Sequence, residues 1–108
     1  LDVGGLSETK WIAEYVDMNG IMIAPHGTID GLIGLAAQVQ LAATLPKNYI
    51  AFEYCVPCHD WWYDIIDGLP NPIVKDSFID VWDAPGLGVS FNDEAKKYLK
   101  EEDKDFFD

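Results

Sequence analysis

The sequence contains no arginine, and its seven lysines face nineteen aspartates and glutamates, for a net charge of −12. Nucleic-acid recognition needs a basic stripe with bidentate arginines, so that class of function is excluded. The same charge argues against docking on an anionic membrane surface. No apolar run approaches the ~20 residues that span a bilayer. Phosphate-binding loops are missing as well. No Lys follows Gly4-Gly5 at Walker spacing, the Gly-x-Gly-x-x-Gly pattern is absent, and Pro85-Gly86-Leu87-Gly88 reads as a turn. There is no initiating Met, signal peptide, internal repeat or low-complexity segment. Cysteine is scarce, with two residues.

What is present is apolar and aromatic. The hydrophobic share is 49%, with four Trp, five Tyr and five Phe, which rules out wholesale disorder. At 108 residues and 12.1 kDa the chain has the size of one domain. A compact monomer of that mass exposes ~6,000 Å², burying about 65% of the extended chain's surface, enough for one core. The opening Leu-Asp-Val-Gly-Gly reads as the tail of a strand entering a turn. Residues 93–108 form a charged, helix-like tail closed by Phe106-Phe107, which reads as a true C-terminus. The chain is therefore expected to be a C-terminal piece of something larger.

Between these ends the periodicity alternates. Ser7 is expected to cap a helix carrying Glu8 in its first turn. Trp11, Ile12, Tyr15 and Val16 mark the apolar face of that helix, Lys10, Glu14 and Asp17 face away, and Gly20 ends it. Residues 21–24 are wholly apolar, as in a strand covered on both faces. A second helix over 30–44 shows Leu32, Leu35, Ala36, Val39 and Ala43 on one side, and Leu45-Pro46 stops it. Residues 49–54 read as another strand. Strand end, helix, strand, helix, strand with short connections predicts parallel βα units, an α/β chain. Beyond Tyr54, Pro and Gly punctuate an irregular stretch, with helical potential over 60–66 and one or two short strands over 73–81.

Parallel strands expose their C-terminal ends on one edge, where α/β folds keep their chemistry. The loop around Asp2, His26 and Glu53 all fall there. His26 directly follows an apolar strand, so its imidazole should emerge at the strand's mouth, as a general acid or base near neutral pH or as a loop histidine bonded to a carbonyl. Glu53 could polarise that histidine, bond a substrate oxygen or simply be solvated. Cys55-Val-Pro-Cys58-His59 overlaps three motifs: a c-type haem attachment, a thioredoxin-like dithiol and half a zinc site with His26 or His59. An unclear axial Met, the missing later half of a thioredoxin domain and too few ligands weigh against each in turn. Two reduced loop cysteines in a cytoplasmic protein remain the simplest reading. Trp61-Trp62-Tyr63, Trp82 and the Phe pair are most simply core and lid packing.

Taken in order, several phrases resemble the C-terminal part of an enolase-superfamily enzyme of the mandelate racemase and muconate lactonizing group. They are Asp2-Val-Gly-Gly-Leu-Ser-Glu-Thr-Lys with Ile12-Ala13, then Ile23-Ala24-Pro25-His26, Gly34-Leu35-Ala36-Ala37, Phe52-Glu53 and Trp82-Asp-Ala-Pro-Gly-Leu-Gly-Val89. The resemblance covers nearly the whole chain. It implies the last two strands and helices of a modified (β/α) TIM-type barrel, with 21–25 as the seventh strand and 49–53 as the eighth. Residues 1–54 would be barrel units, and 55–108 an irregular segment packing on the barrel and returning to a capping domain.

The chemistry implied is removal of the proton α to a carboxylate, with Mg²⁺ holding the enolate, most simply in an acid-sugar dehydratase. A racemase, epimerase or cycloisomerase of the same superfamily is the alternative, and a small Cys-x-x-Cys thiol-disulfide protein the rival from another class. The resemblance makes His26 the catalytic histidine and Glu53 the glutamate that donates to or bonds the substrate carboxylate. Asp2 and Pro25 are expected beside the substrate. The aspartate that pairs with the histidine, and the Mg²⁺ ligands, would fall upstream of Leu1, so no metal ligand is expected in this chain. A small carboxylate substrate such as an acid sugar, a homo-oligomer and a cytoplasmic location are the further expectations. Because two or three parallel strands leave open edges and an uncovered apolar face, the 108 residues alone are expected to be inactive, and stable only when assembled.

Overall fold

Two glycines with positive φ, Gly4 at 107° and Gly5 at 100°, turn the chain into its first helix, α1 (Leu6–Met18). The computed structural model describes residues 3–27, 30–51 and 53–107, with the backbone alone at 104, 106 and 107. Ser7 does not cap α1. The helix starts one residue before it, no side chain caps the first turn, and Thr9 instead donates from its hydroxyl to the Gly5 carbonyl at 2.8 Å. Glycine at both preceding positions permits the early turn, because a Cβ there would be strained.

The other end of α1 follows the sequence. Gly20 adopts φ 69° and donates to the Asp17 carbonyl at 2.9 Å, while Ile21 donates to the Val16 carbonyl at 2.9 Å. This is the double bond of a Schellman cap. The inward face, however, is not the aromatic one. Thr9 and Ala13, one turn apart, are buried, whereas Trp11 and Tyr15 are 63% and 65% exposed. Small side chains let α1 approach its neighbour closely, and the large ones point outward.

Residues 21–25 and 49–53 pair in parallel through a bridge between Ile23 and Tyr49. Ile23 donates to the Asn48 carbonyl (2.9 Å), Ile50 to the Ile23 carbonyl (3.0 Å) and Glu53 to the Pro25 carbonyl (3.2 Å). The pairing stays a short ladder rather than a regular strand, since Pro25 has no N–H to give. Buried Asn48 fastens its lower end, donating from Nδ2 to the carbonyls of Ala13 (3.2 Å) and Ile21 (3.0 Å). A single side chain thus ties α1 and both paired segments together.

The crossover between the paired segments is α2 (Gly31–Ala42), the centre of the molecule. Leu32, Leu35 and Val39 on one side of it form the core with Ile66 and Ile73. Ala36, Ala37, Gln38 and Leu41 are buried on its other sides. The covering lobe holds α3 (Trp61–Asp64) and two short antiparallel strands, β1 (Ile66–Asp67) and β2 (Ser90–Phe91), with Ile66 opposite Phe91 and Asp67 opposite Ser90. Between them Lys75 and Phe78 exchange both backbone hydrogen bonds at 2.8 Å, around Asp76 and Ser77 at φ 50° and 68°. That is the left-handed two-residue turn of a tight hairpin, and in place of the one or two short strands expected over 73–81 there is this single bridge.

Gln40 Nε2 donates to the Trp82 carbonyl at 3.0 Å and anchors the lobe on α2. Trp62, Tyr63 and Trp82 pack on the core as the sequence suggests, while Trp61 stacks on Tyr98 with ring centroids 4.7 Å apart. The tail is two 3₁₀ helices, Asp93–Tyr98 and Glu101–Phe107, the first capped by Asn92, whose Oδ1 accepts from the Glu94 N–H at 3.0 Å.

Candidate functional site

The parallel register decides which side chains meet. Because Glu53 pairs through its N–H with Pro25, the residue after Pro25 stands beside Glu53 at the C-terminal end of both segments. There His26 Nε2 lies 3.1 Å from Glu53 Oε2, with the side chains 79% and 51% exposed. The contact is an ion pair when the ring is protonated. Both groups remain open to solvent. The two residues singled out in the sequence are thus brought together as a dyad at the strand mouth. Pro25 contributes its carbonyl to the register, and Asp2 lies outside the described residues.

A further residue, on α2, supports the histidine loop. Gln38 on α2 is 2% exposed, and its Nε2 donates to the His26 carbonyl (3.3 Å) and to Asp30 Oδ2 (3.1 Å). The loop presses so closely on it that a Cβ at Gly27 would come within 1.6 Å of Gln38 Nε2. A buried amide so engaged resists movement, since leaving its donors unmet costs about 1–3 kcal/mol. Nothing in the sequence sets it apart, because α2 carries a second glutamine, Gln40, and only the partners that each reaches distinguish the two.

The cysteines lie just beyond Glu53. Burial, then Cys55 beside it, pushes the Cys58 thiol above its ordinary range. Burial, then Tyr63, raises the Tyr54 hydroxyl strongly. A fast first-attacking thiolate needs the opposite shift, so Cys58 is not built as the leading nucleophile of a catalytic dithiol. Among the described residues no three His, Cys, Asp or Glu side chains converge as a metal cradle. A groove of about 590 Å³ lies elsewhere, on an apolar face lined by Tyr49, Ile50, Val56, Val74, Phe78 and Val81 among others. It lacks paired acids or bases and does not compete with the dyad. No described helix is long and apolar enough to cross a membrane.

Comparison with known proteins gives a consistent result. A family model described as enolase C-terminal domain-like matches residues 1–95. The D-xylonate dehydratase of Haloferax volcanii is 32% identical over 106 residues, covering 98% of this chain and 25% of the relative. A D-galactonate dehydratase family member of Musicola paradisiaca is 33% identical over 98 residues, 89% of this chain and 22% of its own length. A crystal structure of a mandelate racemase/muconate lactonizing enzyme-like protein from Rubrobacter xylanophilus superposes with a TM-score of 0.73 at 29% identity, covering 85% of this chain and 23% of that one. The chain spans about a quarter of the length of the curated relatives it matches.

Proposed function

The chain belongs to the family of enolase C-terminal domain-like proteins and forms part of its (β/α) barrel, and from that premise we propose that it is the portion of an acid-sugar dehydratase that carries His26 and Glu53. The observation that supports this reading most is the 3.1 Å contact between those side chains at the strand mouth. One relative is named a D-xylonate dehydratase and another a member of the D-galactonate dehydratase family, so the proposed substrate is a small polyhydroxy carboxylate. Residues 1–54 are proposed as the closing units of the barrel, and 55–108 as the segment that packs over it towards a capping domain.

In the proposed reaction a base elsewhere in the protein takes the proton α to the carboxylate. Protonated His26 gives its proton to the β-hydroxyl, which leaves as water, and the resulting enol becomes a keto acid. Glu53 orients the imidazole through Nε2 and, when His26 turns to the substrate, bonds a substrate oxygen. General-acid assistance of this kind contributes ~10²–10⁴ in rate. Gln38 holds the loop backbone so that only the ring moves. The Mg²⁺ associated with the superfamily would stabilise the enolate, and its ligands are proposed to lie outside this chain, whose described residues offer no cradle. Asp2 and Pro25 are proposed beside the substrate, and the enzyme as a cytoplasmic homo-oligomer.

The test is to incubate the full-length protein and Mg²⁺ with a panel of aldonates and assay for 2-keto-3-deoxy acid. Product from one or more aldonates is expected. Epimerisation without water loss would replace this reading with the isomerase one.

A further inference from the structure

Two thiols stand directly beyond Glu53, and the proposed reaction uses neither. Cys55 and Cys58 are both free and half-buried. The Cys58 thiol donates to the Cys55 carbonyl at 2.5 Å, and the Cys55 thiol to the Pro57 carbonyl at 3.2 Å. The turn folds back on itself and sets the Cys58 sulfur against the backbone of Cys55. In the covering lobe the Tyr63 hydroxyl accepts the Ile73 N–H at 3.3 Å. The second thiol is thereby held against the residue that carries the first, which follows Glu53 by two residues. Asp30, Leu35 and Trp62 line the small crevice beside them. None of this is needed to pack two unrelated loop cysteines.

We propose that Cys55 and Cys58 form a reversible dithiol–disulfide modification site at the rim of the His26–Glu53 mouth, with a low-molecular-weight disulfide of the glutathione class as co-reactant. Cys55, whose bond lies on the exposed side of the turn, attacks one sulfur of that disulfide. One small thiolate leaves and a mixed disulfide remains on Cys55. Cys58, partly buried behind it, then attacks the Cys55 sulfur and expels the second small thiolate. The cysteine pair loses two electrons and two protons, which the two released thiols carry away. Burial keeps Cys58 protonated at neutral pH, so the pair responds slowly, as a modification site rather than a catalytic couple. Closing the disulfide removes the thiol proton that bonds the Cys55 carbonyl, so it alters the segment leading out of Glu53. The inference stands whether or not His26 acts on an acid sugar.

The test is thiol–disulfide equilibration of the full-length protein in glutathione redox buffers, folded and unfolded in urea, with alkylation and mass mapping of both cysteines. If the fold preorganises the pair, the effective concentration of one thiol for the other rises about tenfold or more over the unfolded chain. Cys58→Ser then accumulates the mixed disulfide at Cys55. An effective concentration no higher in the folded protein, or glutathione retained on the wild-type cysteines, overturns the proposal.

Discussion

Gln38 holds the histidine loop through its backbone, donating to the His26 carbonyl and to Asp30. Replacing it with Met keeps most of the volume and removes both donors. The expected cost is about 1–3 kcal/mol in urea denaturation. A loss on the order of 10–100-fold in kcat should accompany it, because His26 is no longer held in place. Gly27→Ala should reproduce the loss by driving a Cβ into the same amide. If either variant lowers stability while kcat is unchanged, Gln38 is structural and does not position the histidine. His26 and Glu53 were legible in the sequence because each closes an apolar strand. Gln38 was not, because helical periodicity ranks positions by hydrophobicity, and a buried polar residue is identified only by the partner it reaches.

At the scale of elements the sequence announced both long helices and the parallel pairing across α2, but not how short that pairing is. The reason is local: a proline in one segment and an asparagine at the root of the other replace ladder bonds with carbonyl-to-side-chain ties. Asn48→Ala leaves the Ala13 and Ile21 carbonyls without that donor and should lower stability by about 2 kcal/mol, measured by chemical denaturation. The face of α1 was also misjudged. Apolar spacing gave the helix, but Thr9 and Ala13 rather than Trp11 and Tyr15 meet the rest of the chain.

The pairing also has a pH signature. Burial raises the pKa of both Tyr49 and Tyr54 from the ordinary 10.0, so the folded state holds their protons more tightly than the unfolded chain. That contribution is fully present below about pH 10 and is lost as pH rises above it. Melting temperature should be level between pH 7 and 9 and fall beyond ~10, less steeply in Tyr54→Phe. An equal fall in that variant would contradict the assignment.

The whole molecule is more open than its mass warrants. Its surface is 7558 Å², against ~6,000 Å² for a compact monomer of this mass. Its radius of gyration is 15.4 Å, against ~13 Å for a compact chain of this length. The excess is apolar: Trp11, Tyr15, Met18, Ile21, Met22 and Ile50 all stand exposed, and the large groove adds to them. Such surface needs a cover. The 108 residues alone should therefore self-associate, and, since a net charge of −12 opposes that, they should do so more strongly as salt screens the repulsion. Sedimentation across a salt series checks this, and a cooperative monomer at all salt concentrations would contradict it.

The proposed delivery of a proton from His26 to the departing hydroxyl is tested most directly by comparing wild type and His26→Asn in the full-length protein in D₂O, following α-deuterium exchange and keto-acid formation together. Exchange should persist in the variant while keto-acid formation falls by ~10²-fold or more. Keto-acid formation within about twofold of wild type, a negligible barrier change, would contradict it.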